Sequence, residues 1–379
     1  MNLSEFLSHD SLQLPVESTS YDFVEFVRGR LASYRELLNK LDAPAIKAKL
    51  DSSSEFVDAF CDAGPRIICS IFKGRPSVGY DTFAKAIEPL RSVFEKLVHR
   101  TFSHAKPNEF FYRIRSEWNG ALTRQEMFHV PFEKRERVAT QRYSLPGLPC
   151  LYLGGSIYTC WAEARRPSFH EIYASAFWLA PGKTASIVDL SYRPKRLQLF
   201  VNSDGTVKGD PSNGDLQYNE ELVATQIALW PLTFLCSIKA MNPKASFKPE
   251  YIVPQILLQW IMQTQDYDGI IYASTHVNEA ADENRIPVCN FVFPSREISA
   301  EGYCSRLSEM FQLTEPVNCQ LIRNINAGEG MPEAAIPPYM FEFIRGRPER
   351  YSATEFGVVE ARLNKLALGD KQNGGRGIR

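Results

Sequence analysis

The chain has 379 residues, of which 44% are hydrophobic and 23% are charged, a composition typical of soluble globular proteins. Its 43 basic and 44 acidic residues give a formal net charge of −1, which excludes a strong overall field for attracting nucleic acid. No apolar run is long enough to span a membrane, and the first thirty residues show no signal-peptide pattern. We therefore expect a cytoplasmic protein with neither a membrane partner nor direct nucleic-acid binding.

The cysteines and histidines indicate no metal chemistry. Eight cysteines are scattered without a Cys-x-x-Cys pair, mostly beside apolar residues, and the six histidines form no cluster. Scattered cysteines in apolar surroundings are typical of buried, reduced thiols. Because dedicated metal sites group their ligands at short spacings, we expect no metal cofactor.

The first hundred residues have a helical pattern. Apolar residues recur there at steps of three and four, which predicts amphipathic helices. The predicted helices run over 21–41, with Ser18 to Ser20 preceding the first as capping candidates, then over 54–61, 66–72 and 81–98. Asp81 is predicted to cap the last helix, and Pro89 to kink or split it. We assign residues 1–103 to a helical N-terminal module.

The pattern changes near Pro107, where β-forming residues become frequent. The predicted strands run over 110–115, 150–153, 185–190, 269–273 and 288–293. A helix is predicted over Pro254–Thr264, with proline in its first turn. We therefore expect an α+β fold, with a mixed domain over 104–300 and a C-terminal extension over 301–379. The last eleven residues, from Gly369, are expected to form a flexible tail.

The segment from Arg142 to Glu163 carries the strongest functional signal. Arg142 precedes a Leu-Pro-Gly-Leu-Pro turn, Tyr152 lies in a short apolar strand, and Glu163 follows in the next helix. Arginine suits phosphate because its planar group donates two parallel hydrogen bonds. Glu163 falls on the flank of the helix's apolar stripe, where a carboxylate can be half buried beside a cleft. Taken singly, Arg142 is not specific, and an ordinary solvated residue on the helix surface is the favoured interpretation of Glu163.

Two further positions complete the set. Arg113 and Arg115 alternate along a predicted strand, so they project from the same face of it. Ser274 stands at the end of the apolar strand that begins at Gly269, where sites often gather. A solvated edge strand and a simple capping serine are the alternative interpretations.

The order of these segments resembles the RES-domain family, which is similar to ADP-ribosyltransferases and consumes NAD. The matching segments are Tyr112-Arg113, Arg142-Tyr143-Ser144, Gly147-Leu148-Pro149, Leu151-Tyr152, Ala162-Glu163, Tyr251 to Gln255 and Asp268 to Ser274. They span roughly half of the chain. The chain departs from the family at Gln141, where glycine is usual, and in a longer stretch after Glu163.

The resemblance implies an ADP-ribosyltransferase-like fold with a bent mixed sheet. It implies that NAD is the substrate and that the nicotinamide–ribose bond is cleaved by phosphorolysis or hydrolysis, with inorganic phosphate or water as acceptor and no metal. Arg113, Arg142, Tyr152 and Ser274 are then the NAD-binding residues, and Glu163, Arg142 and Ser274 the catalytic ones. An antitoxin or immunity-type protein is the partner that the resemblance suggests.

Two other functions stay open. The same cleft could transfer ADP-ribose to a protein side chain, or the chain could be a catalytically silent interaction protein. The acceptor found after incubation with NAD and phosphate separates the enzymatic alternatives, while a silent protein leaves NAD intact.

Overall fold

The protein is described by a computed structural model over residues 1–50, 54–90, 99–103, 109–116, 122–209, 216–277, 288–297, 299–324, 340–344, 347–372, 374 and 377. Helices and a multi-stranded mixed sheet make up this part of the chain. The predicted α+β class is therefore confirmed.

The described elements are numbered in chain order. The α-helices are α1 (Leu3–Ser8), α2 (Phe23–Asn39), α3 (Pro44–Leu50), α4 (Ser54–Phe72), α5 (Pro76–Ile87), α6 (Ile157–Glu163), α7 (Pro194–Leu197), α8 (Leu216–Ala228), α9 (Trp230–Ser237), α10 (Ile252–Thr264), α11 (Ser305–Met310), α12 (Cys319–Asn324) and α13 (Glu355–Gln372). The strands are β1 (Val16–Glu17), β2 (His99–Ser103), β3 (Phe111–Ser116), β4 (Cys150–Gly154), β5 (Ile172–Leu179), β6 (Thr184–Leu190), β7 (Ile238–Lys239), β8 (Gly269–Ala273), β9 (Cys289–Pro294), β10 (Phe311–Leu313), β11 (Val317–Asn318), β12 (Met340–Ile344) and β13 (Arg347–Arg350).

The chain forms two compact units, each assembled from separated stretches. The first comprises Met1–Arg100, Thr140–Leu145 and Val188–Gln265; the second comprises Thr101–Ala139, Pro146–Ile187 and Asp266–Arg379. The sequence-based division had three continuous segments, 1–103, 104–300 and 301–379. The two divisions differ because a change in composition marks a point along the chain but does not show which distant stretches pack together.

The first unit is mainly helical, and its first long helix lies close to the prediction. α2 begins one residue after Asp22, whose carboxylate accepts a hydrogen bond from the backbone N–H of Glu25 at 3.0 Å. Asp22 is therefore the N-cap, and the preceding serines are not. The buried positions of α2 follow the helical period: Phe23, Val27, Leu31, Tyr34 and Leu37.

Two predicted helix boundaries in this unit are wrong. α4 is one helix with Pro65 inside it, because a continuous buried stripe outweighs the one backbone bond that proline removes. α5 begins at Pro76, with proline in its first turn, and Asp81 lies inside it and does not cap it. Pro89 follows in a 3-10 turn, and the predicted continuation over 91–98 lies outside the described residues.

The second unit is built on a sheet with the strand order β10–β5–β3–β4–β9–β8, continued by β6 and β2, which belong only partly to this unit. β11 also pairs with β5. The predicted strands β3, β4, β8 and β9 are confirmed to within one residue at each end. In the described residues, the pairings among β3, β4, β5, β8 and β9 are antiparallel.

Both faces of this sheet are covered, and β5 shows it best. Phe177 and Leu179 pack with Leu151 and Phe291 on one face, whereas Trp178 packs on the other face with residues of α6 and α13. β5 has no place among the predicted strands, because burial on both faces removes the alternation of apolar and polar residues. The helix α13 also includes residues 369–372 of the predicted flexible tail.

Gly269 supplies a test of the sheet. A Cβ at this position would lie 2.3 Å from the carbonyl oxygen of Val292 on β9. We predict that Gly269→Ala lowers the free energy of unfolding by about 1–3 kcal/mol, because the strands must move apart. Gly29→Ala is the control: nothing lies within 4 Å of its Cβ, and alanine should stabilise α2 by about 0.5–1 kcal/mol. Chemical denaturation measures both, and a Gly269→Ala variant as stable as the parent would contradict the close approach.

Candidate active site

Glu163 is the last residue of α6, and a tight connection from β4 places this helix. Ser156 caps α6, accepting a hydrogen bond from the backbone N–H of Thr159 at 3.1 Å. The helix packs so closely on the end of β4 that a Cβ on Gly154 would lie 2.5 Å from the Cys160 sulfur. The pair of glycines therefore allows the helix, and Glu163 with it, to return over the sheet.

The Glu163 carboxylate is held by two strands. Its Oε1 accepts a hydrogen bond from the Ser274 hydroxyl at 2.6 Å and another from the Asn290 side-chain amide at 2.8 Å. The His276 Nε2 lies 3.9 Å from the other oxygen, Oε2. The side chain keeps 30% of its surface exposed, so one carboxylate oxygen is fixed while the group remains open to solvent.

Ser274 follows β8 and is fully buried. Its hydroxyl donates to Glu163 and accepts from the backbone N–H of His276 at 3.1 Å. A serine hydroxyl has one proton to donate, and here the Ser274 proton is used in the hydrogen bond to Glu163. This hydrogen bond orients the carboxylate. The structure thus brings together two of the predicted residues, Glu163 and Ser274.

Asn290 is the site residue that sequence reasoning missed. It is the second residue of β9, is 5% exposed, and pairs in register with Tyr272 of β8 and Gly154 of β4. Asparagine is depleted in strands, so an asparagine within the apolar run Val-Cys-Asn-Phe-Val-Phe was an available signal. Its partner Glu163 is 127 positions away, which no local pattern reveals.

Tyr152 and Tyr272 place aromatic rings on the same face of the sheet. Tyr152 pairs in register with Val292, and Tyr272 with Asn290, two residues earlier on β9. Registered partners in antiparallel strands share a face, and so do residues two apart. Tyr152 is half-buried, and burial raises the pKa of its phenol well above the usual range. This face therefore combines Tyr152 and Tyr272 with Asn290, which binds Glu163.

Arg113 lies where β3 and β4 meet. In the described residues these two strands pair in register at Tyr112 and Gly154 alone, whereas β3 continues along β5 for six residues. Strand alternation directs Arg113 away from the face that carries Tyr152, yet its guanidinium reaches the Tyr152 carbonyl oxygen at 3.4 Å. Arg113 therefore lies at the opening between the two strands.

Arg113 is a half-buried cation whose partners among the described residues are uncharged. Burial, and secondarily the nearby Arg115, lower the pKa of Arg113 to about 9, so it stays cationic at neutral pH. Among the described residues no carboxylate forms an ion pair with it. A half-buried cation in this position favours an anionic ligand.

Arg142 belongs to the first unit. It is 7% exposed, and its guanidinium donates to the carbonyl oxygens of Cys236 at 3.1 Å and Ile238 at 2.9 Å. The group also lies over the Tyr251 ring, 5.0 Å from its centroid. These contacts fix the end of α9, and the predicted role of Arg142 in binding phosphate stays a prediction.

The described ranges contain no group of three or more His, Cys, Asp or Glu side chains arranged to hold a metal ion. All eight cysteines are free, and six of them are buried. In the same ranges, no helix combines the length and the apolar character that crossing a membrane requires.

Comparison with known proteins finds one extensive similarity. The chain is 32% identical over 363 residues to the Bacillus subtilis (strain 168) protein named "Putative toxin YopC", an alignment covering 93% of this chain and 78% of that protein. No family model matches the chain. No solved structure matches it.

Arg142 can be tested by substitution. We predict that Arg142→Ala lowers the free energy of unfolding by about 2–3 kcal/mol, because two buried carbonyl oxygens lose a charged donor. Arg28→Ala is the matched control, since Arg28 is half exposed and its ion-pair partner among the described residues is its helix neighbour Glu25, a contact of small energetic effect. Urea denaturation gives both values, and equal stabilities of the Arg142→Ala and Arg28→Ala variants would contradict a structural role.

Proposed function

The chain belongs to the family of the Bacillus subtilis protein named "Putative toxin YopC", and we propose that it is a toxin-type enzyme that cleaves the nicotinamide–ribose bond of NAD. One observation carries the proposal above the others. One oxygen of the Glu163 carboxylate is fixed by Ser274 and Asn290, and the group is still open to solvent. The resemblance to the RES family, which rests on sequence motifs, adds the substrate.

The chemistry of NAD cleavage suits this arrangement. Nicotinamide leaves as a neutral molecule from a cationic precursor, so the ribose gains positive charge as the bond breaks. A carboxylate fixed beside the sugar stabilises that charge without having to reorganise. Ser274 and Asn290 hold Glu163 by two hydrogen bonds to one oxygen, which leaves Oε2 to face the ribose.

The surrounding residues match the other parts of NAD. The cationic nicotinamide ring is attracted to an aromatic face, and Tyr152 and Tyr272 supply two aromatic rings on the face that carries Asn290. The pyrophosphate needs cations, and Arg113 is a half-buried guanidinium with no carboxylate partner among the described residues. Arg115, two residues along the same strand, adds a second positive charge.

The acceptor of the ADP-ribosyl group is phosphate or water in this proposal. Restraint by an antitoxin-type partner belongs to the same proposal and is supported by the relative's toxin name and the family resemblance. Cytoplasmic location also belongs to it and rests on the sequence pattern. Transfer to a protein side chain is the enzymatic alternative. Mass analysis of the products from purified protein, NAD and phosphate distinguishes ADP-ribose, its phosphorylated form and modified protein, and unchanged NAD would contradict the proposal.

Glu163 gives the sharpest test of the chemistry. We predict that Glu163→Gln reduces the rate of NAD cleavage by about 10²–10⁴-fold, because the amide cannot stabilise a cationic ribose. Folding should be unchanged, since the amide oxygen still accepts hydrogen bonds from Ser274 and Asn290. Steady-state kinetics with NAD measures the loss.

The matched control is Glu171→Gln, the same chemical change at a partly exposed residue whose carboxylate lies 3.7 Å from His170. It should leave the rate unaltered. Ser274→Ala should cost less than Glu163→Gln, because Asn290 still holds the carboxylate. Near-normal turnover by Glu163→Gln would make this glutamate a structural residue.

Arg113 tests substrate binding separately. We predict that Arg113→Ala weakens NAD binding by about 1.5–3 kcal/mol, the range for a charge-assisted hydrogen bond, or about 10–150-fold in Kd. Arg113→Lys should recover part of this, because an ammonium lacks the forked geometry. Calorimetry in a Glu163→Gln background avoids turnover, with the exposed Arg137→Ala as control. An unchanged Kd for Arg113→Ala would exclude Arg113 from the phosphate site.

A further inference from the structure

The C-terminal helix α13 reaches elements that carry the candidate site. Sequence reasoning gave the region 301–379 no role. Nevertheless, Glu360 and Asn364 are four residues apart on α13 and therefore lie on the same face of it. Each of them makes a side-chain hydrogen bond to a different element of the second unit.

Glu360 binds the start of the helix that ends in Glu163. Its Oε1 accepts a hydrogen bond from the backbone N–H of Ile157, the first residue of α6, at 2.6 Å. The first N–H groups of a helix lack partners within the helix, and Ser156 satisfies only that of Thr159. Glu360 thus completes the beginning of α6 and fixes where the helix starts.

Asn364 binds the strand that carries Arg113. The Tyr112 hydroxyl donates to the Asn364 Oδ1 at 2.8 Å, and Tyr112 is 5% exposed. Tyr112 precedes Arg113 and forms the registered pair with Gly154. Asn364 therefore anchors β3 at the point where β3 and β4 meet.

A turn before α13 keeps Glu360 in place. The Tyr351 hydroxyl also donates to the Glu360 Oε1. The turn packs directly on the helix, since a Cβ on Gly357 would lie 2.1 Å from the Tyr351 carbonyl oxygen. Thr354 links the two, donating to that carbonyl at 2.7 Å and accepting from the Gly357 N–H at 3.2 Å.

We propose that α13 is a positioning device for the active site, in which Glu360 sets the helix that carries Glu163 and Asn364 sets the strand that carries Arg113. Its catalytic consequence rests on the proposed NAD cleavage. The positioning of α6 and β3 by α13 does not rest on NAD cleavage, because these contacts are present whatever the substrate is. A helix that merely covers the core would tolerate loss of these polar contacts with no specific effect on rate or binding.

The test compares full-length variants that remove one contact at a time. Glu360→Leu should lower kcat by about 100-fold, the scale of a displaced catalytic group, with little change in KM. Asn364→Leu should mainly raise KM for NAD, because it loosens the strand of Arg113. Glu360→Gln retains an acceptor oxygen for Ile157 and should stay close to the parent.

Leu366→Ala is the control, since Leu366 is an exposed residue of the same helix. Hydrogen exchange of the segments 157–163 and 111–116 provides a readout that needs no substrate. Exchange should accelerate in 157–163 for Glu360→Leu and in 111–116 for Asn364→Leu, and in neither for Leu366→Ala. If the parent does not consume NAD, the proposed function fails, and the exchange data still decide the positioning role.

A pH series checks the state of Glu360 itself. Burial raises the pKa of this carboxyl to about 8, although its hydrogen bonds with Tyr351 and Ile157 oppose the rise. The titratable groups that face it are Tyr351, Tyr112 and Cys160. Because the folded state keeps the proton to a higher pH than the unfolded chain, the stability that Glu360 contributes falls as pH rises from about 4.5 to about 8.

Glu360→Gln removes this titration, so its Tm should rise relative to the parent across that interval and level off above it. A Tm difference that does not vary with pH would contradict a buried, protonated Glu360. The proposal is overturned if folded Glu360→Leu keeps the kcat and the exchange rates of the parent, or if Glu360→Gln is as damaging as Glu360→Leu.

Discussion

Two hydrogen bonds fix Oε1 of Glu163, and the candidate site is organised around them. The donors, Ser274 and Asn290, come from just after β8 and from within β9, whereas the carboxylate comes from α6. Three elements distant in the chain therefore converge on one oxygen atom. Charge-assisted hydrogen bonds are stronger than neutral ones, so the convergence orients the carboxylate before any ligand arrives.

The sheet sets which residues surround this carboxylate. β3 and β4 meet at Tyr112 and Gly154 and then follow different partners, β5 and β9. Arg113 lies at this opening, and Tyr152 and Tyr272 line one face of the sheet. Gly154, in register with Asn290, has no side chain, and α6 packs against it through Cys160. The helix α13 forms hydrogen bonds to two elements of the site, to α6 at Ile157 and to β3 at Tyr112.

Local signals predicted much of this site, and long-range contacts account for what they missed. The strand of Tyr152 and the helix of Glu163 that follows it were predicted, and the flank position of Glu163 predicted a half-buried carboxylate, because both depend on residues near in sequence. Asn290 and Glu360 act through partners 127 and 203 positions away. The strand β5 was missed because it is buried on both faces, and the assignment of 188–265 to the N-terminal helices depends on packing that composition does not encode.

The most direct measurement is a structure of the Glu163→Gln variant with NAD bound. We predict that the ribose carbon bonded to nicotinamide lies about 3–3.5 Å from the side chain of residue 163, the distance that separates reacting groups before bond breaking. We also predict the nicotinamide ring against Tyr152 or Tyr272 and a phosphate at Arg113. NAD bound elsewhere, or with its nicotinamide ribose remote from residue 163, would contradict the account.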